Sequence, residues 1–252
     1  MANHLPITAA LFYGGTYFAS KYLGLFRSLP RAARIDALSR VPSFINVGVC
    51  LYACYAEWDA VIIAARDLTK AAFGSSPSRD SLLEVVSGYM LYDLSLMILE
   101  PELRDWLMVL HHGVVIIALL TGVQQQVATF YMTCLFANEV STVFVNARYL
   151  LLHYGMGSSR AYAWNGVALA TTFFVCRVVA ITALVGHAAF AWWSLAFVQG
   201  LYWSRPRSDR ALFGGLSGLL LVHWALNLFW FARVVAHVRR AHQRTVDKIK
   251  AS

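Results

Sequence analysis

A chain of 252 residues that is 59% hydrophobic and 13% charged, with a mean hydropathy of +0.56, is too apolar for a water-soluble domain, where about a quarter of residues carry charge. It reads as an all-α membrane protein crossing several times with short loops, because each crossing needs ~20 apolar residues. The net charge of +8 lies in loops and a tail, where the positive-inside rule places basic residues, so nucleic acid is not an expected partner.

In chain order the pattern predicts about seven transmembrane helices. The first covers 7–26, with Lys21 near its end and Arg27, Arg31, Arg34 and Arg40 crowding the next loop. It has no basic n-region and no small-residue cleavage site, so it is expected to stay as a signal anchor. The second runs over 43–63, where Glu57 and Asp59 suggest an exit near Trp58. The segment 66–81 ends in GSSPSRD, a cluster of turn formers that reads as a lumenal loop.

The third and fourth spans, 82–99 and 106–121, form a hairpin across a five-residue polar hinge, SGYMLYDLSLMILEPELRDWLMVLHHGVVIIALLTG. At 1.5 Å per residue, Asp93 lies ~12 Å before Pro101 and His111 ~9 Å after Asp105, so the two share a depth on neighbouring antiparallel helices. An ionisable side chain at that depth needs a partner, and it marks a functional site by default.

The fifth span, 127–151, carries Asn138, Glu139, Ser141, Thr142 and Asn146, and the helical rise sets Glu139 near the depth of the histidines. The sixth, 163–184, holds Arg177, whose partner is expected to be Glu139 or Asp93. The aromatic stretch HAAFAWWSLAFVQGLYW is long enough for a short span and also suits an interfacial or re-entrant helix, with Trp192, Trp193, Tyr202 and Trp203 as an interface belt. The last span, 213–236, contains GGLSG, whose small residues predict close helix packing. Seven spans put the basic first loop and the tail on one cytosolic side with about twelve loop Lys and Arg residues, against about six opposite.

The segments SGYMLYDLSLMIL, LHHG, NEVSTVFVNARYLL, FFVCR and LNLFWF, in this order, resemble TLC-domain (TRAM/LAG1/CLN8-like) membrane proteins, and most closely the small members that are not ceramide synthases. The resemblance implies a six-helix TLC bundle over 43–236, an extra span with a basic loop over 1–42, and a cytosolic tail over 237–252. In ceramide synthases a His-Asp-x-x-Asp-like segment follows the His-His pair. The matching positions here are Asn138, Glu139 and Thr142, which keep one carboxylate and lack the His and the second Asp.

The expected role is therefore lipid binding or handling in sphingolipid and phospholipid homeostasis in the endoplasmic reticulum. The alternatives are an acyl-CoA-dependent N-acyltransferase of ceramide-synthase type and a membrane cargo or trafficking protein. His111, His112 and Asp93 are the candidate catalytic residues, one histidine acting as general base. Glu139, Asn138, Thr142 and Arg177 are the candidate lipid-binding residues. Adjacent helical histidines point ~100° apart and HExxH is absent, so neither a metal nor another cofactor is expected. His153, His187, His223 and His237 belong to no constellation. The cysteines at 50, 54, 134 and 176 sit in apolar runs and read as packing residues. Lys248 and Lys250, fifth and third from the carboxyl end, resemble a dilysine retrieval signal read by a coat partner.

Overall fold

The structure is a computed structural model that describes residues 4–198 and 201–251, without the side chains of 197, 198, 201, 237 and 240–251. Its helices are α1 (Leu5–Tyr22), α2 (Arg31–Ala56), α3 (Trp58–Arg66), α4 (Leu68–Phe73), α5 (Pro77–Leu99), α6 (Trp106–Gln125), α7 (Thr129–Leu135), α8 (Glu139–His153), α9 (Arg160–Phe173), α10 (Ala180–Trp193), α11 (Leu201–Ser204) and α12 (Arg207–Ala251). No strand occurs among the described residues.

Six elements close a ring. α5 packs on α6, α6 on α12, α12 on the α9–α10 rod, α9 on α8, α8 on α2, and α2 again on α5, while α1 lies outside against α5 and α2. Many large apolar side chains face outward, among them Leu11, Phe18, Ile117, Val167, Phe190 and Leu221, a surface that suits hydrocarbon and not water.

Five helical segments are long and apolar enough to cross a membrane: Arg31–Ala56, Pro77–Leu99, Trp106–Gln125, Arg160–Ala196 and Arg207–Ala236. Two of the seven expected spans are not among them. α1 is long enough at 18 residues but is diluted by Lys21 and by several Tyr, Thr and Gly, and it buries Tyr13, Tyr17 and Ser20 against its neighbours. The fifth expected span is divided, because Ala128 enters α7 in the left-handed region (φ 60) and a 3₁₀ turn, Phe136–Asn138, separates α7 from α8.

Three other expectations shift. The loop expected to reach residue 81 ends earlier: Ser76 accepts the Arg79 N–H at 3.2 Å and caps α5, with Pro77 in its first turn. Glu57 does sit where α2 ends, yet it is buried, with Arg79 Nε 3.4 Å from its carboxylate. The first part of the aromatic stretch continues the α9–α10 rod, which passes through two π-helical segments, Phe174–Val179 and Ser194–Val198, while residues 199 and 200 lie outside the described residues.

Polar clasps lock the ring at both ends. At one end Arg40 donates to Asn146 Oδ1 (3.1 Å) and Asn146 to Ser43 Oγ (2.9 Å), joining α2 to α8. At the other, Thr129 donates to the Gly74 carbonyl (2.8 Å), and Gln126 Nε2 donates to Asp80 (2.7 Å). The buried Asn146–Ser43 bond satisfies groups that have no water to turn to.

α1 is held by close backbone approach. A β-carbon at Gly88 on α5 would collide with Ala9 and the Pro6 carbonyl and stand 2.9 Å from the Ala10 nitrogen. Gly88→Val should therefore push α1 off the ring and cost about 1–3 kcal/mol, as overpacking typically does. The expected readout is a lower melting temperature in detergent, whereas Gly48→Val, where a β-carbon meets nothing within 4 Å, should melt close to wild type.

Candidate functional site

The hairpin of α5 and α6 brings Asp93 to the histidine pair, and the rotation of α6 decides which histidine it meets. His112 Nε2 lies 2.9 Å from Asp93 Oδ2, and its Nδ1 donates to the Met108 carbonyl at 2.8 Å. Both ring nitrogens thus face acceptors. One proton occupies the Nδ1 bond and a second is shared between Nε2 and the carboxylate, so the pair is neutral overall, and His112 has no free lone pair in this arrangement. His112 is a tethered residue, not a free base, and the depth match drawn for His111 is realised by its neighbour.

His111 turns the other way. It is buried, stacks on His223 of α12 (ring centroids 5.0 Å apart, 27° between planes) and meets the edge of Trp230 at 5.2 Å. Its Nδ1 has no hydrogen-bond partner. His223 was absent from the expected site, yet it completes it: the Asn138 amide donates to its Nε2 at 3.3 Å, leaving the ring proton on a buried Nδ1 that is also unpartnered. The available signal in the sequence was His223 and Asn227 one turn apart on α12, on the face that also carries Trp230.

Arg177 stands on the π-helical turn between α9 and α10 and binds two other helices, α8 and α12, at once. Its Nε donates to Ser141 Oγ (2.7 Å), Nη2 to Thr142 Oγ1 (3.0 Å) and Nη1 to Asn227 Oδ1 (3.3 Å), and Glu139 Oε1 lies 3.7 Å from Nη2. A guanidinium fork suits this geometry, which a lysine point charge does not. Thr142 therefore holds Arg177, and Asn138 holds His223. π-helical turns recur at functional sites.

These groups cap one end of a cavity of about 80 Å³ lined by His111, Asn138, Glu139, Arg177 and His223. Val115, Leu119, Met132, Phe136, Leu216 and Leu220 form its apolar wall. Asp93, His112 and Thr142 stand outside the lining. By the same measure one water needs ~10–15 Å³, so the space is narrow: it suits a chain or a short file of waters, not a bulky solute. Leu216 to His223 spans ~10 Å along α12, within the ~15 Å depth of one leaflet.

An outer groove between α10 and α12 shares Ala188, Ser217 and Leu220 with this cavity. Here the GGLSG segment behaves differently from the close packing expected of it. A β-carbon at Gly214, Gly215 or Gly218 would meet nothing within 4 Å, so the small residues leave an opening instead of a seam. His187 is structural, taking the Tyr131 hydroxyl proton at Nδ1 (3.0 Å) and donating from Nε2 to the Ala65 carbonyl (3.1 Å). No group of three or more metal-ligating residues forms among the described residues. The side chains of His237, Lys248 and Lys250 lie outside the described residues.

Residues 36–236 match the TLC domain. TLC domain-containing protein 4 of Homo sapiens is 24% identical over 245 residues, covering 91% of this chain and 87% of that protein. No solved structure matches.

The division of labour between the two histidines is measurable. Asp93→Ala and His112→Ala should each lower stability, and in a double-mutant cycle the two should couple by about 1–3 kcal/mol, read as melting shifts in detergent. Asp93→Ala and His111→Ala should add nearly independently.

Proposed function

Because the chain belongs to the TLC-domain family, we propose that it is a multi-pass membrane protein that binds one lipid chain inside its helix ring, with the lipid's polar end against His111 and Glu139. The observation that carries this reading is the shape of the cavity, apolar along its length and polar at one end, with buried histidine nitrogens left unpartnered there. An amphipath satisfies both ends, and its polar group supplies the hydrogen bonds that those nitrogens lack. The groove between α10 and α12 offers a sideways route from the bilayer, with Leu220 at the shared wall. The role served is membrane-lipid homeostasis.

Leu220→Trp fills the apolar part of the cavity. Mass spectrometry of the purified protein should find a stoichiometric co-purifying lipid in wild type and its loss in Leu220→Trp, with both proteins melting cooperatively. An equal lipid content in the two would reject internal binding.

A second reading is favoured by the unpartnered Nδ1 of His111. In an acyltransferase, His111 would take the proton from an attacking hydroxyl or amine while the acyl carbon leaves the sulfur of acyl-CoA, which departs as the thiol. Acyl-CoA-dependent product formation by wild type, abolished in a folded His111→Ala, would select it. The absence of product from a protein that retains lipid would select passive binding.

The compartment proposed is the endoplasmic reticulum, with a cytosolic C-terminus carrying Lys248 and Lys250 as a retrieval signal. Changing both to Ser should move the protein toward the Golgi with no change in melting temperature, because a tail contributes little to stability. Unchanged localisation by fluorescence would place the retention signal elsewhere.

A further inference from the structure

The polar end of the cavity has a definite hydrogen-bonding character. His223 presents an Nδ1–H that has no acceptor, because Asn138 occupies its Nε2. His111 presents an unpartnered Nδ1 on a ring stacked 5.0 Å away. Glu139 lines the same space and meets Arg177 at 3.7 Å, beyond hydrogen-bond reach, so its carboxylate still has lone pairs to offer. The site therefore needs a guest that both donates and accepts.

The charge balance narrows the guest further. Arg177 and Glu139 cancel, and the neighbouring His112–Asp93 pair is neutral as a unit. Three of the guanidinium's five N–H groups are engaged by Ser141, Thr142 and Asn227, and its charge is already balanced by Glu139, so a phosphate would add a second, unbalanced anion. A phosphate or ammonium head would enter as an uncompensated charge in a water-poor space, which is strongly unfavourable. A hydroxyl fits: it accepts from His223 Nδ1–H and donates to Glu139 or to His111 Nδ1.

Resting on the lipid-binding reading above, we propose that His223 is a ligand-recognition residue and that the cavity selects single-chain lipids with a neutral, hydroxylated head, of the monoacylglycerol class. His223 reads the head from α12, while Leu216 and Leu220 of the same helix line the chain. Head and chain are thus recognised by one helix. His223 has this role because its other nitrogen is already held by Asn138, which leaves the ring proton on the unpartnered Nδ1.

The test uses the full chain, delipidated in detergent, with radiolabelled 1-oleoylglycerol as probe and methyl oleate as the matched ester lacking hydroxyls. Wild type should bind the glyceride at least about tenfold more tightly than methyl oleate, the discrimination expected when a buried donor would otherwise go unpaired. In His223→Phe, which keeps a ring against His111, the two should bind alike, at the methyl oleate level. Leu220→Trp should lose both.

If His223→Phe keeps the wild-type preference while Leu220→Trp loses both ligands, the recognition role fails and the cavity reading stands. If Leu220→Trp binds both as wild type does, the cavity reading itself fails. Should His223→Phe not fold, His223→Leu is measured in its place with the same two outcomes, and equal affinity of wild type for the two esters overturns the proposal in either case. Tighter binding of 1-oleoyl lysophosphatidic acid than of 1-oleoylglycerol overturns the neutral class.

Discussion

Arg177 is where the ring is obliged to agree with itself. A guanidinium within the bilayer must be neutralised and hydrogen-bonded, and here Glu139 supplies the opposite charge while Ser141, Thr142 and Asn227 accept three of its N–H groups, from two neighbouring helices. Removing any one acceptor leaves a donor with no water to replace it. The positions of α8 and α12 relative to the α9–α10 rod are therefore fixed by one side chain. The cavity between α6, α8 and α12 inherits its shape from that constraint. The widened π-helical turn that carries Arg177 lies in the middle of the rod, where an ordinary helix would run straight past.

The histidines follow from the same logic. His112 is used up by Asp93 and the Met108 carbonyl, giving a neutral unit that a membrane interior tolerates. Its neighbour on the opposite side of the turn is left facing the cavity, and His223 meets it from α12. Two adjacent residues of one type thus do different work, one holding the α5–α6 hairpin and the other lining the space enclosed by the ring. An apolar wall below them and unpartnered nitrogens above them form an amphipathic space within an amphipathic bilayer.

Much of this was legible in the sequence, and the misses have physical causes. The all-α membrane class follows from composition, and the shared depth of Asp93 and the histidine pair follows from helical rise across a short hinge. The choice of His112 over His111 depends on the rotation of α6, which spacing leaves open. Glu139 was readable as a partner of Arg177 because few other deep carboxylates exist to take that place. His223 sits in an apolar run with only Asn227 one turn away, and it gains meaning from Asn138, 85 positions earlier, which the fold alone brings to it. Arg79 and Glu57 looked like loop charges because nothing local shows that the two ends of that loop fold onto each other. The Trp-rich stretch resembled a separate interfacial piece because aromatic density marks membrane surfaces. Its first part is the far end of the α9–α10 rod, whose backbone passes through two π-helical segments.

The central claim, a lipid chain held inside the ring, is tested most directly by photocrosslinking. A single-chain lipid with a diazirine along its chain, added to native membranes and activated by light, should label Val115, Leu119, Leu216 and Leu219 in a saturable manner, with excess unlabelled lipid removing those adducts. Labelling confined to the outward-facing Ile117, Leu221 and Val222, and insensitive to competitor, would contradict the account.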